Sequence, residues 1–255
     1  CAFLLLNVFA LLPAFVVYLA LCASLALGHF SDGFLALRPS GLILRSRKYA
    51  RDDGKTILLF PMSHIAEAEF YEAASQSVTT NSIVLLEGVA DSRNLLTNRI
   101  SYQRAAKSLG LAEQHDDFNI PRGKLVRADV DVQDFSSTTI DILNLVTLVH
   151  SKGLNSSDLL RFLQYSPPPG AEQLLFADLL VKRNEHLLKE LHKRLPESDN
   201  FVIPWGAAHM PGIAEEIQKS GFHVVESREY VSIRFGAKKH KTGGAGKIRD
   251  SEHSK

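Results

Sequence analysis

"TILLFPMSHIAEAEF", residues 56–70, begins as a run of branched apolar residues, turns at a proline and a histidine, and continues with the alanines and acids of a helix. A short apolar run of this kind suits a strand covered on both faces. A second stretch, "NFVIPWGAAHMPGIAEEIQKSG" at residues 200–221, repeats the plan of strand, small-residue turn, histidine and helix. Pro211 suits the first turn of that second helix, and Gly221 suits the position just past its end. In the first copy Ser63 is placed to cap the helix, with Glu67 and Glu69 near its positive end.

Around these two units, short apolar runs alternate with longer amphipathic ones. The expected class is α/β: a mixed, partly parallel sheet with helices on both faces, preceded by an N-terminal transmembrane helix. Strands are expected at residues 41–46, 56–60, 82–88, 123–130, 200–205, 222–227 and 229–235. Helices are expected over 66–77, 94–109, 135–149, 157–164, 171–195 and 211–220. The long helix over 171–195 carries Leu174, Leu175, Phe176, Leu179, Leu180, Leu187, Leu188 and Leu191 at helical spacing, and Pro196 ends it. "SPPPG" at 166–170 reads as a rigid turn inside one domain.

The chain has 255 residues, 45% hydrophobic and 22% charged, which suits a folded domain and excludes a disordered or fibrous chain. Its formal net charge of +1 supplies no field for nucleic acid. The partner is therefore to be sought in a site.

The first 27 residues carry no charged side chain, and roughly 20 apolar residues suffice to cross a bilayer core. Residues 1–30 therefore read as a single-pass membrane anchor, with a kink at Pro13. A cleaved signal segment ending near "ALG" at 26–28 is the rival, although signal cores run to only about 7–15 residues. Arg38, Arg45, Arg47, Lys48 and Arg51 favour a cytoplasmic side for the domain after the span, but a single flank leaves the orientation open. Both cysteines, Cys1 and Cys22, lie in the apolar segment, so the α/β domain at 31–236 has no thiol for a disulfide, a nucleophile or a metal. The basic tail at 237–255 is expected to be disordered. Its "GGAGKI" lacks the spacing and flanking elements of a phosphate loop.

Open α/β sheets gather ligands at the carboxyl ends of their strands, where helix N-termini also point. His64 and His209 are expected at that rim, Glu87 in "SIVLLEGV" ends an intervening strand, and Asp129 in "KLVRADV" ends another. Such a set suits either a metal or an acid/base pair around a water. Glu67, three residues past His64, shares its helical face. His186 reads as a surface residue, and Asp131 and Asp134 as loop acids. No Gly-x-Ser-x-Gly elbow, His-Glu-x-x-His motif or dinucleotide fingerprint is present.

The ordered set "PMSHIAEAEFYEA", "SIVLLEGV", "LVKRNEHLLKEL" and "WGAAHMPGIAEEIQ" resembles the TraB/Tiki superfamily, with erythromycin esterases and ChaN-like proteins as more distant relatives. The resemblance covers residues 56–235. That family is marked by two Gly-x-x-His motifs flanking a strand-end Glu, and by Arg or Arg-Asn on a long helix. These carry over to His64, to Glu87, to Arg183 with Asn184, and to Gly206 with His209. Pro61 stands where the first motif has glycine.

The resemblance implies a membrane-anchored hydrolase of a peptide or small ester-like substrate, or a non-catalytic binding protein on the same scaffold. It implies His64, Glu87, Arg183 and His209 as catalytic, with Asn184 and Gly206 as substrate-binding neighbours; Glu67 and Asp129 join the substrate-binding set by their own positions beside the site. A divalent transition metal (Mn, Co or Zn) on His64, Glu87 and His209 is one implied form of the site. In the other form Glu87 activates water and Arg183 stabilises an oxyanion.

Overall fold

The computed structural model describes residues 2–97, 101–152 and 164–236. Helix α1 (Ala2–Phe30) runs unbroken through Pro13, and residues 11–30 form an apolar span of 20 residues with none of it buried. Its end is tied to the domain: the Ser24 hydroxyl donates to the Leu37 carbonyl at 3.0 Å, and the Gly33 amide to the Gly28 carbonyl at 2.7 Å.

Strand β1 (Leu35–Arg38) turns back onto β2 (Gly41–Ala50), which also pairs antiparallel with β3 (Thr56–Met62) further along the same edge. The opposite edge of β2 takes β9 (His223–Arg234). Beyond β3 the sheet continues as β8 (Asn200–Gly206), β5 (Ser82–Leu86) and β7 (Lys124–Arg127), all parallel. The sheet is mixed and partly parallel, as the apolar runs imply.

Helices cover both faces. Helix α2 (Ala68–Gln76) sets Phe70, Tyr71 and Ala74 against Leu44, Phe60 and Met62 on one side. On the other, a long helix and the helix after β8 close over the sheet. The long helix comprises α6 (Ala171–Phe176), a π turn (Ala177–Val181) and α7 (Lys182–Arg194); the helix after β8 is α8 (Met210–Lys219). Leu187, Leu188 and Leu191 of α7 and Ile213, Ala214 and Ile217 of α8 bury against Ile57, Leu59, Leu85 and Ile203. Each such fully buried aliphatic side chain contributes about 1.5–3 kcal/mol.

Several elements depart from the pattern read in the sequence. The expected helix over 94–109 starts only at Gln103, as α3 (Gln103–Leu109). The Asp91 carboxylate takes the Leu95 and Leu96 amides, and Asn94 sits at φ +52°, so the segment before it is a turn. The two strands expected over 222–235 are one strand, β9, kept in register with β2 by two bulge-like shifts. The π turn breaks the single apolar stripe of the long helix, leaving Leu174 and Phe176 exposed while Leu187, Leu188 and Leu191 stay buried. The expected helix over 157–164 lies outside the described residues except at Gln164, and the tail at 237–255 lies wholly outside them.

At Gly41 the backbone of β2 lies tight against that of β9. The φ of Gly41 is +146°, and a Cβ there would lie 2.1 Å from the Ile233 carbonyl oxygen. Gly41→Ala should cost at least about 2 kcal/mol through that strain and overlap, read as a lowered urea midpoint.

Candidate functional site

The parallel strands all release their chains on one side of the sheet, and that rim collects the polar side chains. Glu87 follows β5, and Asp129 lies two residues past β7. Gly206 closes β8 before a 3-10 turn (Ala207–His209) that delivers His209 to the start of α8. Arg183 and Asn184 reach the rim from the first turn of α7, directly after the π turn. Insertions of that type often sit beside functional sites.

Arg183 is the centre of the arrangement. Its Nε and Nη2 donate to the two oxygens of Asp129 at 2.9 and 2.7 Å, a bidentate fork. Nη2 also donates to Glu87 Oε1 at 2.7 Å, and Nη1 to His209 Nε2 at 3.2 Å. Four of the five guanidinium N–H groups are thereby used within the described residues. Glu87 Oε2 accepts the Gly206 amide at 2.6 Å, and Asp129 also accepts the Gly88 and Val130 amides at 2.9 Å each. The ring of Trp205 lies beneath, 5.5 Å from the guanidinium, with its indole N–H donated to the Leu85 carbonyl.

The bonds assign the tautomer of His209. Its Nδ1 lies 2.7 Å from Asn184 Oδ1, to which it donates, so Nε2 is left as the acceptor for Arg183. The imidazole is therefore neutral. Burial, reinforced by the Arg183 charge, pushes its pKa down to about 4 despite the nearby carboxylates. Asn184 is held in turn by the packing of α7 on α8, where a Cβ on Gly212 would come within 2.8 Å of Asn184 Nδ2.

For Arg183 burial opposes the charge, and the hydrogen bonds and charge of Asp129 outweigh it, so its pKa is raised. One guanidinium against two carboxylates leaves the cluster with one net negative charge. The Asp129 side chain is 0% exposed, that of His209 5%, and those of Arg183 and Glu87 12% and 16%. Access from solvent is thus through Glu87 and Arg183.

Those two open onto a cleft of about 900 Å³, lined also by His64, Tyr102, Glu113 and Phe118. His64 is exposed, stacks on Tyr102 at 4.8 Å, and reaches the site only across this cleft. The two strand-turn-histidine units are not equivalent in space. In the β3–β8 register Gly206 pairs with Met62, while Pro61 lies inside β3 opposite Trp205. That one-residue offset turns alternate side chains to opposite faces. The chain after β3 then enters β4 (Ile65–Ala66), paired with β6 (Ala112–Glu113), and α2 begins only at Ala68. Ser63 caps no helix; its hydroxyl donates to the Ile65 carbonyl.

Glu87, Asp129, Arg183, Asn184, Gly206 and His209 therefore converge, and His64 faces them. Glu67 is elsewhere: it is buried against β9, where its carboxylate accepts the Arg234 amide at 3.2 Å. His186 is half-buried and donates from Nδ1 to the Ala128 carbonyl, so it is no surface residue. Asp131 and Asp134 cap a 3-10 turn (Val132–Asp134). Among the described residues no group of three or more His, Asp or Glu side chains is arranged to hold a metal ion. The arranged donors fit a guanidinium instead: Arg183 stands between Glu87, Asp129 and His209, and His64 lies apart.

Sequence reasoning missed Trp205 as the floor of the site and Tyr102, Glu113 and Phe118 as cleft walls, since the irregular segment after β5 carries no periodic signal. It also missed Asp178 in the π turn. Burial pushes that carboxyl up, but bonds from Lys182, Thr139 and Ser136 hold it down at about 2. It tethers α5 (Ser137–Lys152) by accepting from the Ser136 amide and hydroxyl. No family model matches the chain, and no curated protein or solved structure matches it.

A depressed histidine pKa couples stability to pH. Neutral His209 is favoured in the fold, so its contribution is complete above pH 6.5 and is lost as pH falls from 6.5 towards about 4. The stability difference between wild type and His209→Gln should therefore be flat above pH 7 and shrink by about 3 kcal/mol by pH 4, measured by urea unfolding.

Proposed function

We propose that the chain is a membrane-anchored hydrolase acting on a peptide or small ester-like substrate, with His64, Glu87 and Arg183 as the groups that meet the substrate. The observation that carries this reading is that these three side chains line one cleft at the carboxyl rim of the sheet. The fifth N–H of Arg183 is left for the oxygen on which charge develops as water attacks a carbonyl. Glu87 keeps a second lone pair on each oxygen and takes the proton of that water. His64, whose imidazole has no hydrogen bond among the described residues, carries a proton across the cleft to the leaving group. Asp129, His209 and Asn184 act as positioning residues that fix the guanidinium. The apolar span of α1 serves as the anchor.

One observation favours a second reading, a binding protein without turnover. Both Glu87 oxygens already hold donors, Arg183 on one and the Gly206 amide on the other, so an incoming water must share them.

The full chain in detergent, assayed against peptides and activated esters, separates the two. His64→Ala and Glu87→Gln should each lower turnover about 100-fold or more, with Lys189→Ala unchanged. Equal rates for wild type and Glu87→Gln would contradict the assignment. Ligand-dependent thermal stabilisation without product would support the binding protein.

A further inference from the structure

The candidate site lies at the carboxyl ends of the strands. A second recess, of about 180 Å³, lies at their amino ends, where Thr56, Asn200 and Ser82 are the first residues of β3, β8 and β5. We propose that this recess binds a small phosphate-bearing ligand anchored by Lys48.

Lys48 of β2 faces Glu226 of β9 directly across the ladder, a placement in which opposite charges ordinarily pair. Glu226 is instead taken by Arg228, two residues along its own strand. Among the described residues the Lys48 ammonium consequently has neither ion pair nor hydrogen bond. Other cations without a described partner, such as Lys107, Arg122 and Lys189, are exposed, whereas Lys48 is half-buried and lines the recess. A partly desolvated ammonium without a counter-charge is the kind of group that a bound anion stabilises.

Neutral donors line the same recess. The Thr56 hydroxyl donates to Asn200 Oδ1 at 3.0 Å, which turns the amide so that its Nδ2 is the outward donor, with no acceptor among the described residues. Thr79 and Ser82 share one hydrogen bond of 2.6 Å, leaving one hydroxyl hydrogen over. The one carboxylate in the lining, Glu226, is offset by Arg228. The recess thus offers an excess of donors over acceptors around a single positive charge. A tetrahedral phosphate group, with several acceptor oxygens around one centre, satisfies these donors from more than one side, and the volume leaves room for a small substituent.

The phosphate could belong to a free metabolite or to a lipid headgroup, and soluble probes of both kinds distinguish them. Inorganic phosphate and short-chain dihexanoyl phosphatidic acid are titrated into the full chain in detergent at fixed ionic strength, with chloride as reference. Wild type should bind phosphate; Lys48→Gln should bind at least about tenfold more weakly, and Lys189→Gln should be unchanged. Similar affinity for both probes assigns a free phosphate group, and tighter binding of the lipid assigns a headgroup. Equal binding by wild type and Lys48→Gln, or none by wild type, overturns the proposal. A readout that needs no variant is protection: phosphate should shield Lys48, and not Lys189, from acetic anhydride, and equal labelling would overturn the site.

Discussion

A guanidinium inserted between two carboxylates and an imidazole, over the face of a tryptophan, is the constraint on which the rim of this protein depends. Arg183 can be buried only because Asp129 meets it with a full bidentate fork and Glu87 and His209 take further N–H groups. A buried pair of this kind gives little net stability when complete, but losing one partner strands a charge at a cost of about 3–5 kcal/mol. The consequence is a demand on geometry. Strands β5, β7 and β8 must end level with one another, and α7 must lie across them in one register, or the charges are left unmatched.

The same constraint sorts the rim residues by role. Asp129 and His209 are shut away from the cleft and hold the guanidinium, whereas Glu87 and Arg183 face outward and His64 faces back at them. Neutral His209 adds a directional acceptor without a second positive charge beside Arg183. An imidazolium there would repel the guanidinium and lose the Nε2 lone pair. The cluster is a preorganised electrostatic wall.

Much of this was legible in the sequence, for reasons that can be located. Residues 56–62 and 200–206 announce themselves because a strand buried on both faces must be apolar throughout, and Glu87 and Asp129 because an acid directly after such a run can lie only at its end. His209 followed from its strand-turn-helix unit, and Arg183 and Asn184 from the resemblance of their helix motif to a known family. That the two histidine units are not equivalent was not legible, because a one-residue offset in register leaves no trace in composition. Nor was the turn at 91–97, where one aspartate side chain competes successfully for helix amides, or the single long strand β9, whose bulges let it follow β2 past charged residues. Glu67 looked like a helix neighbour of His64, but the chain makes β4 before α2 begins, which carries its carboxylate to β9.

The central claim is that Arg183 is held by a neutral His209 acting as acceptor through Nε2. Imidazole nitrogen NMR at pH 7 on chain labelled at histidine tests it most directly. The expected spectrum shows His209 neutral, with the proton on Nδ1 and a bare, hydrogen-bonded Nε2. A proton on Nε2, or an imidazolium at that pH, would contradict it.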